Sequence, residues 1–222
     1  MKITAIHQIE ITSRCNLPCK YCVHGTMARD HIDMDLDTFK MSIGWAAYHV
    51  KRGTQKSLNL CGIGESTLHP EFTEYVKLAR EAVGDGCEIV LATNGLKVTP
   101  ELADAVLPFD VRWFVSLHRP EKAATAINIL RARNVLAGVS ADPALSSVDW
   151  AGQIKWEVTA DKTPCPWQKH GWVIVLANGT VTRCAFDGDA VGKICHVSDM
   201  HYGVETSPYS LCPSCHQTIG DL

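Results

Sequence analysis

Strand-like and helix-like segments alternate along most of this chain, and few folds satisfy that order. Ile3 to Ile11 reads as a first strand, followed by a cysteine-rich loop from Thr12 to about His24. A helix runs from about Asp37 to Lys51, with Phe39, Ile43, Ala46, Ala47 and Val50 on one face and Gly53 as its stop. Ser57 to Cys61 is the second strand and Pro70 to Val83 the second helix; Glu88 to Ala92 is the third strand, running into the turn Thr93-Asn94-Gly95. Thr99 caps, and Pro100 opens, a short helix to about Val106. Val111 to Leu117, Val135 to Ser140 and Ile154 to Val158 complete six strands, with a helix over Pro120 to Asn134. Repeated strand–helix units imply an α/β fold with a parallel sheet wrapped by helices. Six strands rather than eight predict a partial (β/α)6 barrel whose ligand sits at the carboxyl ends of the strands.

After about Asp161 the pattern changes. Trp172 to Leu176 and Thr180 to Arg183 flank Ala177-Asn178-Gly179, and Asn-Gly between apolar runs is a hairpin signal. We therefore expect a barrel over 1–162 and a small module over 163–222, too short for a large core of its own and in need of a metal or another staple. A length of 222 residues suits one full domain plus such an appendage.

Composition narrows the function. Net charge is -3 without a Lys/Arg-rich block, so there is no electrostatic footprint for DNA. No stretch approaches the roughly 20 apolar residues of a membrane span, and the first residues lack the apolar run of a signal peptide. A soluble, cytoplasmic protein is expected. Its ten cysteines then point to metal or redox chemistry rather than disulfides, because that compartment keeps thiols reduced.

Cys15, Cys19 and Cys22 form C-x3-C-x2-C directly after the first strand. Three thiolates on one tight loop suit three irons of a four-iron cluster, leaving one iron open for chemistry; a zinc site would need a fourth ligand such as His24. The motif, with Tyr21 before the last cysteine, resembles the signature of the radical S-adenosylmethionine superfamily. That resemblance implies S-adenosylmethionine on the open iron, Tyr21 against its adenine, and reductive cleavage to a 5'-deoxyadenosyl radical that takes a hydrogen atom from a substrate carbon. Gly62-Ile63-Gly64-Glu65 looks like the family's glycine-glycine-glutamate motif, whose backbone receives the methionine amino group; glycine fits where the chain comes close to a ligand. Asn94 and Ser116 match family positions near the cofactor's ribose and methionine portion. Arg119 is a candidate for its carboxylate, and His118 a candidate proton acceptor at the substrate mouth.

Cys165 and Cys184 bracket the hairpin as C-x13-G-x4-C, and Cys212 and Cys215 add C-x2-C. This resembles the auxiliary-cluster modules of the same superfamily, called SPASM with two clusters and twitch with one. It implies a second four-iron cluster on these four cysteines, with a four-cysteine zinc site as the alternative and His196, His216 or Cys195 as substitute ligands. Only seven residues follow Cys215, so a single-cluster, twitch-like module is expected. Cys87 reads as core. Cys61, at the end of the second strand, is a candidate thiol for returning a hydrogen atom to a substrate radical. His24, Arg29, His31 and Trp167 are further pocket candidates.

The resulting expectation is dehydrogenation or epimerisation of a small molecule, with a flavodoxin or ferredoxin as electron donor. A peptide-modifying maturase is the alternative, disfavoured because no leader-recognition segment precedes the barrel. A non-catalytic zinc or iron-sulfur protein is the remote one.

Overall fold

The computed structural model describes residues 1–140, 150–155, 163–215 and 217–218. Its order is β1 (Ala5–Ile9), α1 (Leu36–Lys51), β2 (Ser57–Asn59), α2 (Phe72–Val83), β3 (Glu88–Thr93), α3 (Pro100–Val106), β4 (Val111–Ser116), α4 (Pro120–Ala132) and β5 (Leu136–Ser140). Then follow β6 (Thr163–Pro164), α5 (Pro166–His170), β7 (Trp172–Val175), β8 (Thr180–Thr182), β9 (Lys193–His196) and β10 (Gln217–Thr218).

Local chemistry sets the boundaries. Asp35 caps α1 by accepting from the Thr38 backbone nitrogen at 2.9 Å. Gly53, at φ 74°, takes the left-handed turn beyond the helix's last residues. Thr99 accepts from the Leu102 nitrogen at 3.2 Å, as its position before Pro100 predicts.

One sheet of eight strands runs β5-β4-β3-β2-β1-β7-β8-β9. β1 to β5 are parallel neighbours in chain order, and β7 joins the free edge of β1, also parallel. The sixth parallel place is thus filled by the first strand of the hairpin. Val173, Ile174 and Val175 are all fully or almost fully buried, which suits a strand covered on both faces. Of the segment expected as a strand over 154–158, Ile154 and Lys155 are described and lie in no strand; the rest falls outside the described residues. The hairpin itself forms as expected, with β7 and β8 antiparallel, and β9, which the sequence pattern missed, adds to it.

The main core lies between the sheet and its helices. Ile89 and Leu91 of β3, with Val111, Trp113 and Val115 of β4, meet Phe72, Tyr75, Val76 and Ala126 from the helices. The alternate residues Ala92 and Ser116 face the other way and line a cavity. Among the described residues no helix is long and apolar enough to cross a membrane.

Candidate active site

A cavity of about 310 Å3 opens at the carboxyl ends of β1 to β4, within the range of small-molecule sites. The sequence-predicted residues Cys15, Cys19, Tyr21, Cys22, Cys61, Gly62, Ile63, Gly64, Glu65, Asn94, Ser116 and His118 all line it. Arg119 does not: it occupies the N-cap position of α4, from which its charge still reaches Tyr21 and His118.

The cysteine loop is held from below by backbone contacts. Ser13 donates its backbone nitrogen to the Ile32 carbonyl at 2.9 Å and accepts from the Ile32 nitrogen at 2.8 Å on its hydroxyl. Val23, Met27 and Ile63 form a small apolar cluster beneath Cys22, joined by Trp150. Burial pushes the free Cys22 thiol up to about 11 and raises Cys15 as well, so a cluster that binds here must displace their protons.

Packing inside the protein requires the two glycines of Gly62-Ile63-Gly64, which also line the cavity. A Cβ on Gly64 would stand 2.3 Å from the Thr12 carbonyl oxygen, and one on Gly62 2.3 Å from Cγ of Glu10. The Glu65 nitrogen then donates to the Arg14 carbonyl at 2.7 Å, pinning this turn to the cysteine loop.

Glu65 spends its carboxylate inside the protein. It accepts from Thr93 Oγ1 at 2.8 Å, the Asn94 nitrogen at 2.7 Å and Thr67 Oγ1 at 2.6 Å. Burial pushes its carboxyl above the usual range, against the downward pull of these hydrogen bonds. Asn94 is likewise engaged, donating Nδ2 to Asn16 at 2.7 Å and accepting from the Leu96 nitrogen at 3.0 Å. Both side chains therefore position the strand ends. Ser116 differs: it lines the cavity, and its hydroxyl makes no hydrogen bond to another described residue.

Tyr21 and His118 form a wall. Tyr21 Oη lies within hydrogen-bond distance of His118 Nδ1, at 2.6 Å, and burial, with Arg119 second, holds the imidazole below its usual range. The Trp150 indole donates to the Tyr21 carbonyl at 2.9 Å. Cys61 is a neutral thiol, pushed to about 12 by burial first and by Glu65 and Glu10 after it.

Glu10, just beyond β1, was missed by sequence reasoning, although a carboxylate at the end of an apolar strand was a signal. It is fully buried and holds Arg29 at 2.7 Å, and it accepts from the Ile63 nitrogen at 3.0 Å and the Ala177 nitrogen at 3.2 Å. Arg29 also donates to the Gly188 carbonyl, while its own backbone nitrogen donates to Asp189 at 3.1 Å. This ion pair thus ties β1, the Gly62 turn and the hairpin region together. His24 and His31 meet at a 47° tilt with centroids 4.4 Å apart, each near the Ser13 carbonyl, and line neither cysteine cavity.

A second, narrow cavity is lined by Cys165, Cys184, Cys212 and Cys215 with Trp167, Phe186, Tyr209 and Leu211. Tyr209 lies 3.0 Å from Cys184 Sγ, and its backbone nitrogen donates to Cys212 Sγ at 3.4 Å. Four thiols inside an apolar wall are a donor set that fits an iron-sulfur cluster, and burial keeps Cys184 protonated to about 12 without one. His196 is elsewhere, its Nδ1 2.7 Å from Ser198, and Cys195 packs on the main core, so neither joins these cysteines. His216 lies outside the described residues. Cys87 is buried in the core as expected. Phe186 lines both cavities, and Trp150 of the first packs edge-on against it at 5.9 Å.

A partial α/β barrel with C-x3-C-x2-C at the end of its first strand, facing a glycine turn at the end of its second, defines a class of radical-generating proteins. The model of the Radical SAM superfamily matches residues 9–164, and the chain belongs to that superfamily. It is 35% identical over 136 residues to the tungsten-containing aldehyde ferredoxin oxidoreductase cofactor-modifying protein of Pyrococcus furiosus, a match covering 60% of this chain and 35% of that protein. The chain thus spans about a third of that relative's length. Among solved structures it resembles BtrN in complex with AdoMet and 2-DOIA, with TM-score 0.74 and 16% identity over 90% of this chain and 80% of that one. It also resembles anSMEcpe with bound AdoMet, with TM-score 0.61 and 15% identity over 87% of this chain and 77% of that one.

Proposed function

We propose that this chain is an S-adenosylmethionine-dependent radical enzyme that removes a hydrogen atom from a carbon–hydrogen bond of a small molecule. The convergence of the three loop cysteines, the Gly62–Glu65 turn, Ser116 and His118 on one cavity carries this reading. When bound, a four-iron cluster and S-adenosylmethionine supply a 5'-deoxyadenosyl radical. Cys15, Cys19 and Cys22 hold the cluster, and the backbone of the Gly62 turn, fixed by Glu10 and Arg14, presents itself to the methionine end. Tyr21 offers its ring to the adenine, and Ser116, whose hydroxyl is not engaged by the described residues, offers it to the cofactor. The apolar faces of Trp150, Phe186 and Leu17 keep water from a reactive carbon radical.

Net oxidation is the reaction we favour: Cys165, Cys184, Cys212 and Cys215 would hold a second four-iron cluster, which would supply an acceptor for the substrate's remaining electron. The shared wall at Phe186 supports it, since this residue lines both cavities. Cys61 favours a second reading, epimerisation, because its protonated thiol in the first cavity carries a transferable hydrogen atom.

Anaerobic reconstitution tests both sites. About eight irons per chain should fall to about four when Cys15, Cys19 and Cys22 are all changed to Ala, and release of 5'-deoxyadenosine should stop. Parent protein with about four irons, all lost in the variant, would remove the second cluster and the oxidation mechanism with it. Deuterium from solvent appearing in product, abolished by Cys61→Ala, would establish epimerisation instead.

A further inference from the structure

Two grooves meet at the amino-terminal ends of β1, β2 and β7, at the opposite end of the strands from the cysteine loop. One, of about 460 Å3, has Lys56, Lys169, His7, His170 and Trp172 in its walls. The other, of about 360 Å3, has Lys2, Arg52, His49 and His201, and Thr4 and Thr54 belong to both. Among the described residues no Asp or Glu lines either groove. In a chain of net charge -3, four permanent cations with no facing carboxylate make a local positive field. Among the described residues, Glu205 is paired with the terminal amine of Met1 at 3.6 Å, and Glu88 donates its backbone nitrogen to the Lys56 carbonyl at 2.9 Å.

The floor of the first groove is aromatic. His7 and Trp172 stack with centroids 4.1 Å apart and planes 5° apart, and His170 stacks on Trp172 at 4.7 Å. Trp167 meets the edges of His7 at 5.4 Å and Trp172 at 6.2 Å. The same Trp167 lines the cavity of Cys165, Cys184, Cys212 and Cys215. His7 and Trp172 on the groove side and Trp167 behind them therefore form a line of rings between a cationic surface groove and the cavity lined by the four cysteines.

We propose that this double groove is the docking surface for an acidic one-electron carrier protein, which exchanges an electron with the group held by the four cysteines across Trp167. The inference rests on reading those cysteines as cluster ligands. In each exchange the oxidised carrier gains the electron left by substrate oxidation, the held group loses one, and no bond forms or breaks. RNA would use the lysines and the aromatic floor; the contact of that floor with Trp167, which lines the cavity of the four cysteines, favours a redox partner.

The test uses the anaerobically reconstituted full chain and a purified acidic flavodoxin, with binding followed by isothermal titration at several salt concentrations. Lys56→Glu/Lys169→Glu should weaken binding by about tenfold or more and flatten its salt dependence. The same variant should release 5'-deoxyadenosine at the parent rate when dithionite replaces the carrier. Trp167→Leu, at full iron content, should bind flavodoxin within about twofold of the parent yet reduce it at least about tenfold more slowly in stopped flow. Flavodoxin affinity unchanged by the charge reversals overturns the docking site, as does lost affinity for an RNA oligonucleotide with flavodoxin binding intact. Iron content separates the two failures. Missing iron at the four cysteines removes the underlying reading, whereas full iron with charge-insensitive binding removes the docking surface alone.

Discussion

Glu10→Gln is the most informative single change, because one buried carboxylate joins three regions of the chain. It holds Arg29 Nη2 at 2.7 and 2.8 Å through its two oxygens and accepts from the Ile63 and Ala177 nitrogens. Glutamine keeps the shape but has one acceptor oxygen in place of two, and it leaves the Arg29 guanidinium, only 9% exposed, without a counter-charge. Its amide must also face one of the two backbone N–H groups. Removing one partner of a buried pair costs about 3–5 kcal/mol. In a chain of this size each kcal/mol moves Tm by about 2–4 °C, so the melt of the metal-free protein should fall by about 6–20 °C. Glu10→Gln/Arg29→Met removes the orphaned charge and should regain about half of that loss, a coupling read from the double-mutant cycle. A Tm within about 2 °C of the parent for Glu10→Gln would refute the reasoning.

Three further outcomes follow from the same geometry. Gly64→Ala places a Cβ against the rigid Thr12 carbonyl, so iron bound at the first site should fall severalfold while iron at the second is unchanged; equal loss at both would mean general misfolding. Burial first, with His170 for His7 and Arg52 for His49, holds both imidazoles down to about 4. The unfolded chain then binds more protons between about pH 6.5 and 4, so stability is full above pH 6.5 and is lost as pH falls through that window. His49→Gln should flatten the fall in Tm between pH 7 and 5, and an unaltered slope would exclude His49 as a contributor. Tyr21→Phe removes the hydrogen bond to His118 and should raise the KM for S-adenosylmethionine by several fold with the iron count intact.

Much of this protein is legible in local patterns. The spans of α1, α3 and β4, the capping of α3 by Thr99 and the Asn178-Gly179 hairpin follow from periodicity and turn chemistry that act within a few residues. C-x3-C-x2-C is legible for the same reason: a short loop brings its thiols together regardless of what surrounds it. Its partner motif at Gly62 was recognisable too, but its physical cause was not, since the colliding atoms belong to Glu10 and Thr12, some fifty residues away.

Tertiary structure alone decided which edge of the sheet the hairpin joins, and it chose β1, where an all-apolar strand is covered on both faces. It also decided which polar groups remain available. Glu65 and Asn94 carry the expected residue types, yet their hydrogen bonds go to Thr93 and Asn16, while Ser116 is left facing the cavity. The contact of Glu10 with Ala177 spans 167 residues, and no local pattern encodes it. A buried charge finds its partners through the collective packing of the whole fold, so only the folded chain shows that the two cysteine sites share a wall at Phe186.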